Sequence, residues 1–154
     1  MIFIAVLWLL QDLAQVTLMG ICVVPDVFML CTLFAVLLPR MERTRQSRFI
    51  WLLFIGELLW DLRWTNLPGL TSAVACMLVG ISCIIWDKIP SQGRSVGVFA
   101  TLAFVCEILS SAVYYFFWTF PSAVSQRLII VQQCVAVPII LLLSAAFWEK
   151  REIR

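Results

Sequence analysis

Arg40-Met41-Glu42-Arg43-Thr44-Arg45-Gln46-Ser47-Arg48 is the longest polar stretch in a chain of 154 residues, and its arginines decide how the rest is read. On either side the sequence is almost wholly apolar. Hydrophobic residues make up 63% of the chain and the mean hydropathy is +1.02, against about 45–50% apolar residues in soluble domains. Nine residues rich in arginine cannot build a core of their own. The segment therefore reads as a loop between two membrane spans of a polytopic, all-α protein.

Crossing about 30 Å of hydrocarbon takes roughly 20 apolar residues in a helix. That length places spans at 2–20, 25–39, 49–62, 69–86, 96–119 and 128–148, in a single transmembrane domain covering 1–154. The second span is bounded by Pro25 and Pro39, a residue suited to the first turn of a helix and to its end. The third meets Asp61 and Arg63 early, so both read as short helices of one hairpin. Met1-Ile2-Phe3-Ile4 lacks the positive start of a cleavable signal, and the first span reads as a retained anchor.

The charges then orient the bundle. With six spans, the basic loop, Lys88, Arg94, Lys150, Arg151 and Arg154 share one side, which is nine of the eleven basic residues. Only Arg63 and Arg127 fall opposite. The positive-inside rule puts both termini and the loop in the cytoplasm. Trp51, Trp86 and Trp148 fall at the inner ends and Trp60, Trp64 and Trp118 at the outer ends, as expected for indoles at headgroup level. Trp8 alone lies within a span.

The residues offer little chemistry. There is no histidine, and Cys22, Cys31, Cys76, Cys83, Cys106 and Cys134 sit in apolar runs without a C-x-x-C pair. That argues against zinc, haem or iron–sulfur centres and leaves the cysteines as small hydrophobes. No phosphate-binding, dinucleotide or hydrolase motif occurs, so neither an enzyme nor a cofactor is expected. A net charge of +2 gives no footprint for nucleic acid.

Ionisable residues inside spans are the functional candidates. Asp12, Glu57 and Glu107 could form a proton or cation relay. The plainer reading, which we favour, is interhelical hydrogen bonding with an ion pair near Asp61. Glu57 and Asp61, four apart, share a helix face and call for a proton, or for a cation such as Arg63. A stripe of small residues in the fourth span (Gly69, Ser72, Ala73, Cys76, Gly80, Cys83) suits close packing, against another span of the chain or against a partner. Arg40, Arg43, Arg45 and Arg48 either contact anionic lipid or a cytoskeletal filament, or only set topology.

Pro25-Asp26, then Gly56-Glu57-Leu58-Leu59-Trp60-Asp61-Leu62, then Leu67-Pro68-Gly69-Leu70 follow one another in an order that resembles MreD, the rod shape-determining membrane protein family of bacteria. In that family P-D is followed by G-x-x-x-D-L and a turn with proline and glycine. The resemblance marks Pro25, Asp26, Gly56, Asp61, Pro68 and Gly69 as motif residues. It implies a six-helix bundle similar to the substrate-binding component of energy-coupling-factor transporters, without catalysis of its own. It further implies a scaffold in the bacterial inner membrane, binding a single-span MreC-like protein within the cell-elongation, peptidoglycan-synthesis machinery. That machinery includes the actin-like MreB filament and the SEDS glycosyltransferase with its penicillin-binding transpeptidase. The alternative is a small-molecule-binding or transport component, with a cavity lined by Asp12, Glu57 or Glu107.

Overall fold

The computed structural model describes residues 2–18, 23–38, 43–64, 67–117 and 122–152, with side chains for 6–18, 23–38, 43–64, 67–117 and 127–150. The expectations resting on Cys22, Pro39, Arg40, Trp118 and Arg154, and on the side chain of Arg151, lie outside the described residues. Six helices run in order: α1 Ile2–Thr17, α2 Val27–Leu37, α3 Arg43–Trp64, α4 Leu70–Lys88, α5 Val96–Phe117 and α6 Ser122–Glu152. No strand occurs among the described residues. Three of these helices, α4, α5 and the Arg127–Lys150 part of α6, are long and apolar enough to cross a membrane. The chain is a membrane protein.

Local chemistry sets the helix ends. Asp26 caps α2 by accepting the Met29 N–H at 2.9 Å, and Ser95 Oγ accepts the Val98 N–H at 3.3 Å as α5 begins. Each bond satisfies one of the donors that a helix start leaves unpaired. Lys88 lies in the last turn of α4, where a cation complements the dipole.

α2 is the centre of the packing. It touches each of the other five helices, and none of its residues is exposed. Phe28, Met29, Leu30, Leu33 and Leu37 form the core with Leu53, Val79, Phe99 and Phe147. The Phe99 and Phe147 rings stack at 4.7 Å between centroids, with Phe34 and Trp86 edge-on to Phe147. At 11 residues, α2 is only about 16 Å long. The remaining pairs in contact are α3 with α4, α5 with α6, α4 with α5 and, more slightly, α1 with α3.

Three expectations need correction. The first concerns the basic segment, of which Arg43–Arg48 is the start of α3 and not a loop. Arg and Gln are strong helix formers, and Gln46 Nε2 donates to Val36 O at 3.3 Å, tying this turn to the C-terminal end of α2. Arg43, Arg45 and Arg48 remain exposed on it.

The second concerns the small-residue stripe. The buried face of α4 is Ser72, Ala75, Leu78, Val79, Ser82 and Trp86, rotated from the stripe by about one residue, or roughly 100°. Ser72 is buried, and the Cys76 thiol points at Ile50 O, 3.9 Å away on α3. Ala73 is exposed, and a Cβ on Gly80 would meet nothing within 4 Å. The interior face mixes Leu78, Val79 and Trp86 with the small Ser72, Ala75 and Ser82, while Met77, Ile81, Ile84 and Ile85 turn outward together with half of the stripe.

The third concerns the tryptophans. Trp51 and Trp148 are exposed, but Trp60 and Trp86 are buried. An indole near a helix end also serves as filling wherever a neighbouring helix covers it.

Candidate functional site

Polar side chains converge where α2 begins, and they do so because α2 is short. Residues 23–26 run into its N-terminus without regular structure, and α1 supports them with two glutamines one turn apart. Gln15 Oε1 accepts the Val24 N–H at 2.8 Å and Gln11 Oε1 accepts the Phe28 N–H at 2.7 Å. Trp8, one turn before Gln11, donates its indole N–H to Gly56 O at 2.9 Å. Gly56 is required there, since a Cβ would lie 2.6 Å from Cζ of Phe28. The glycine lets α2 and α3 close on each other.

Asp61 performs a related task for α4. Its Oδ2 accepts the N–H groups of Gly69 at 2.9 Å, Thr71 at 3.0 Å and Ser72 at 3.4 Å, and its Oδ1 accepts the Thr71 hydroxyl at 2.6 Å. Gly69, the N-cap residue, has no side chain to offer and sits at φ +93°, where glycine is favoured. Asp61 thus caps α4 from the neighbouring helix. A carboxylate is suited to this, because the helix start concentrates unpaired donors and positive potential. Pro68 lies in the turn before Gly69 and is exposed.

The expected Arg63 is not the partner of Asp61, which bonds instead to the backbone at the start of α4. Arg63 points elsewhere, with Nη1 2.7 Å from Asp12 Oδ2, while Trp64 Nε1 donates to Asp12 Oδ1 at 2.9 Å. Asp12, Glu57 and Glu107 do not meet at one point. Asp12 is held in the pair with Arg63, Glu57 faces the α2 start, and Glu107 lies on α5 against α6.

Beside Glu57 is a cavity of about 40 Å³ whose polar lining includes Gln11, Asp26, Glu57, Thr71, Tyr114 and Gln132. The Asp26 and Glu57 carboxyls both belong to its lining. Behind Gln132, Glu107 is fully buried. Gln132 Nε2 donates to Glu107 Oε1 at 3.2 Å and to Ser111 Oγ at 3.0 Å, and Gln133 Nε2 reaches the same hydroxyl at 3.2 Å. Glu107 Oε2, Gln132 Oε1 and Gln133 Oε1 have no hydrogen-bond partner among the described residues.

The sequence reading took Asp26 only as a motif residue and passed over Gln11, Gln15 and Ser111. Gln11 and Gln15, four apart on an apolar helix, carried a signal that was available. Amides in a span must be bonded to something. The described residues bring no group of three metal-ligating carboxylates, thiols or imidazoles together. The cavity has room only for water-sized polar guests. No family model matches the chain, and no curated protein or solved structure does so either.

Proposed function

We propose that this chain is a non-catalytic membrane scaffold of the MreD type, in the bacterial inner membrane, with six spans and both termini in the cytoplasm. In this role it binds a single-span MreC-like protein and, through it, the elongation machinery of MreB, the SEDS glycosyltransferase and its transpeptidase. One observation carries the reading. The residues of the resemblance converge on a single corner and serve as supports: Asp26 caps α2, Gly56 admits Phe28, and Asp61 caps α4 across the Pro68-Gly69 turn. A motif spent on rigid helix junctions suits a protein that presents a fixed surface.

The cavity weighs against the transport alternative in its vitamin-carrier form. About 40 Å³ is far below the roughly 300–1,000 Å³ of sites for drug-sized ligands. The decisive experiment is crosslinking in native membranes, followed by purification of this chain. A single-span partner with a periplasmic domain should co-purify, and depletion should round the cells. Recovery without such a partner, together with normal cell shape on deletion, removes the scaffold reading.

A further inference from the structure

The ring of helices around α2 is not closed. It runs in the order α1, α3, α4, α5, α6, and each helix meets the next, but among the described residues α6 and α1 do not meet. α2 carries the mark of that opening. Most of its residues are buried, and those that are only half-buried are Val27, Cys31, Phe34 and Ala35. At 100° per residue they fall on one arc of about 100°, which the half-buried C-cap residue Leu38 continues. The borders of the arc agree with the opening. Phe34 on one side meets Phe147 of α6, and Phe28, just past the other, is bonded through its N–H to Gln11 of α1.

The trough so formed has an apolar floor, and the small side chains of Cys31 and Ala35 deepen it. It ends in a cation. Lys150 Nζ lies 5.5 Å from the centre of the Phe34 ring, so the end of α6 brings an ammonium over the mouth of the trough. Lys150 has no carboxylate partner among the described residues. Trp148, exposed at the same end of α6, suits the headgroup level. We infer that the opening between α1 and α6 binds one anionic phospholipid of the adjacent leaflet. An acyl chain lies along Val27, Cys31, Ala35 and Leu38, and the phosphate meets Lys150.

Length selects a lipid over a helix. From Val27 to Leu38 the floor is about 16 Å long, or one leaflet of the roughly 30 Å of hydrocarbon. Beyond Val27 the chain leaves the helical path, and the polar cavity begins. A transmembrane helix of a second copy or of another protein needs a matching face through the whole bilayer, and here it would meet that polar step halfway. Charge selects the headgroup. Lys150 shares its end of the bundle with Arg43, Arg45 and Arg48 at the start of α3, and basic residues beside a gap between helices attract anionic headgroups.

The site depends on the opening and not on the scaffold reading, so partner capture and lipid binding fail separately. The test uses the full chain in nanodiscs of equimolar phosphatidylglycerol and phosphatidylcholine, released into mild detergent and weighed by native mass spectrometry. One phosphatidylglycerol should stay with each chain, whereas lipids that merely surround the bundle are stripped without preference. Lys150→Gln should lower the preference for phosphatidylglycerol about fivefold, the fold-change of about 1 kcal/mol for one basic residue near the surface. Lys88→Gln, at the end of α4, should leave it unchanged.

Leu38→p-benzoylphenylalanine, at the mouth of the trough, reads the occupant in native membranes. On illumination the chain should gain the mass of one phospholipid. The proposal is overturned if the parent chain retains both lipids equally, or if Lys150→Gln keeps the full preference. It is overturned as well if illumination joins the chain to a second copy or to another polypeptide in place of lipid.

Discussion

Arg63 Nη1 lies 2.7 Å from Asp12 Oδ2, so the guanidinium joins α3 to α1 and leaves Asp61, two residues earlier, to the backbone of α4. The two members of the pair are unequal. Asp12 also accepts the Trp64 indole N–H and is buried, whereas the Arg63 side chain is half exposed. Asp12→Ala should therefore lower stability by about 1–3 kcal/mol by leaving a part-buried donor unmet. Arg63→Ala should cost less than about 1 kcal/mol, as exposed ion pairs do. Thermal midpoints of the two variants and of the double variant measure the difference, and equal losses would contradict this division of roles.

Asp61→Ala should be among the most damaging single changes in the chain. It removes the acceptor for two backbone N–H groups and a hydroxyl at 3.0 Å or less, and each orphaned donor costs about 1–3 kcal/mol. A loss on the order of 3 kcal/mol or more is expected, with Asp61→Asn in between, since one oxygen survives. Glu107→Gln should be near neutral or mildly stabilising. Its Oε2 has no partner, and an amide nitrogen in that place could donate to a neighbouring glutamine oxygen. Midpoints and steady-state protein levels of the three variants decide the order.

Two glycines should behave oppositely. Gly56→Ala drives a methyl into the Phe28 ring and should destabilise by about 1–3 kcal/mol through overpacking. Phe28→Leu in the same chain should recover part of that loss. Gly80→Ala meets nothing and should be neutral or stabilising by up to about 1 kcal/mol from helix propensity. A large loss at Gly80 would mean that the exposed half of the stripe is packed against something in the membrane.

Neutralising Arg43 and Arg45 together should leave the fold intact, because both are exposed on the first turns of α3. Binding to anionic vesicles should fall, most clearly at low salt, by about 1 kcal/mol per residue removed. Unchanged vesicle binding in a folded variant would leave these arginines with topology alone.

Reporter fusions after Pro68, in the α3–α4 turn, and after Gln92, between α4 and α5, should report opposite faces of the membrane. The nine-to-two division of basic residues predicts the Gln92 fusion to be cytoplasmic. If both fusions report the same face, α4 does not cross and the six-span topology falls.

Hydropathy made the positions of the six helices legible, because burial in lipid leaves a long apolar run wherever a helix must lie. It misjudged where they start. Arg43–Arg48 is helical because helix propensity and the Gln46–Val36 bond act on residues that hydropathy counts only as polar. The face of α4 was misjudged because small residues occur on both sides: Ser72, Ala75 and Ser82 are buried while Ala73 is exposed, so smallness alone does not mark the packed face. At the site, Asp61 could be placed at the start of α4 from its position before a proline–glycine turn. Asp26, Gln11 and Gln132 could not be brought together, since their meeting depends on how far α2 falls short of its neighbours, and that is a property of the packed chain.

A helix that meets mostly protein is largely released from the dimensions of the lipid around it. α2 has no fully exposed residue and its face is mostly buried, so a bilayer that thins or thickens finds little on it to stretch or strand. The adjustment falls to the surrounding helices, which can tilt at a cost of fractions of a kcal/mol per Å, while Phe28 on α2 keeps its place. The same junctions could thus persist in membranes of different thickness.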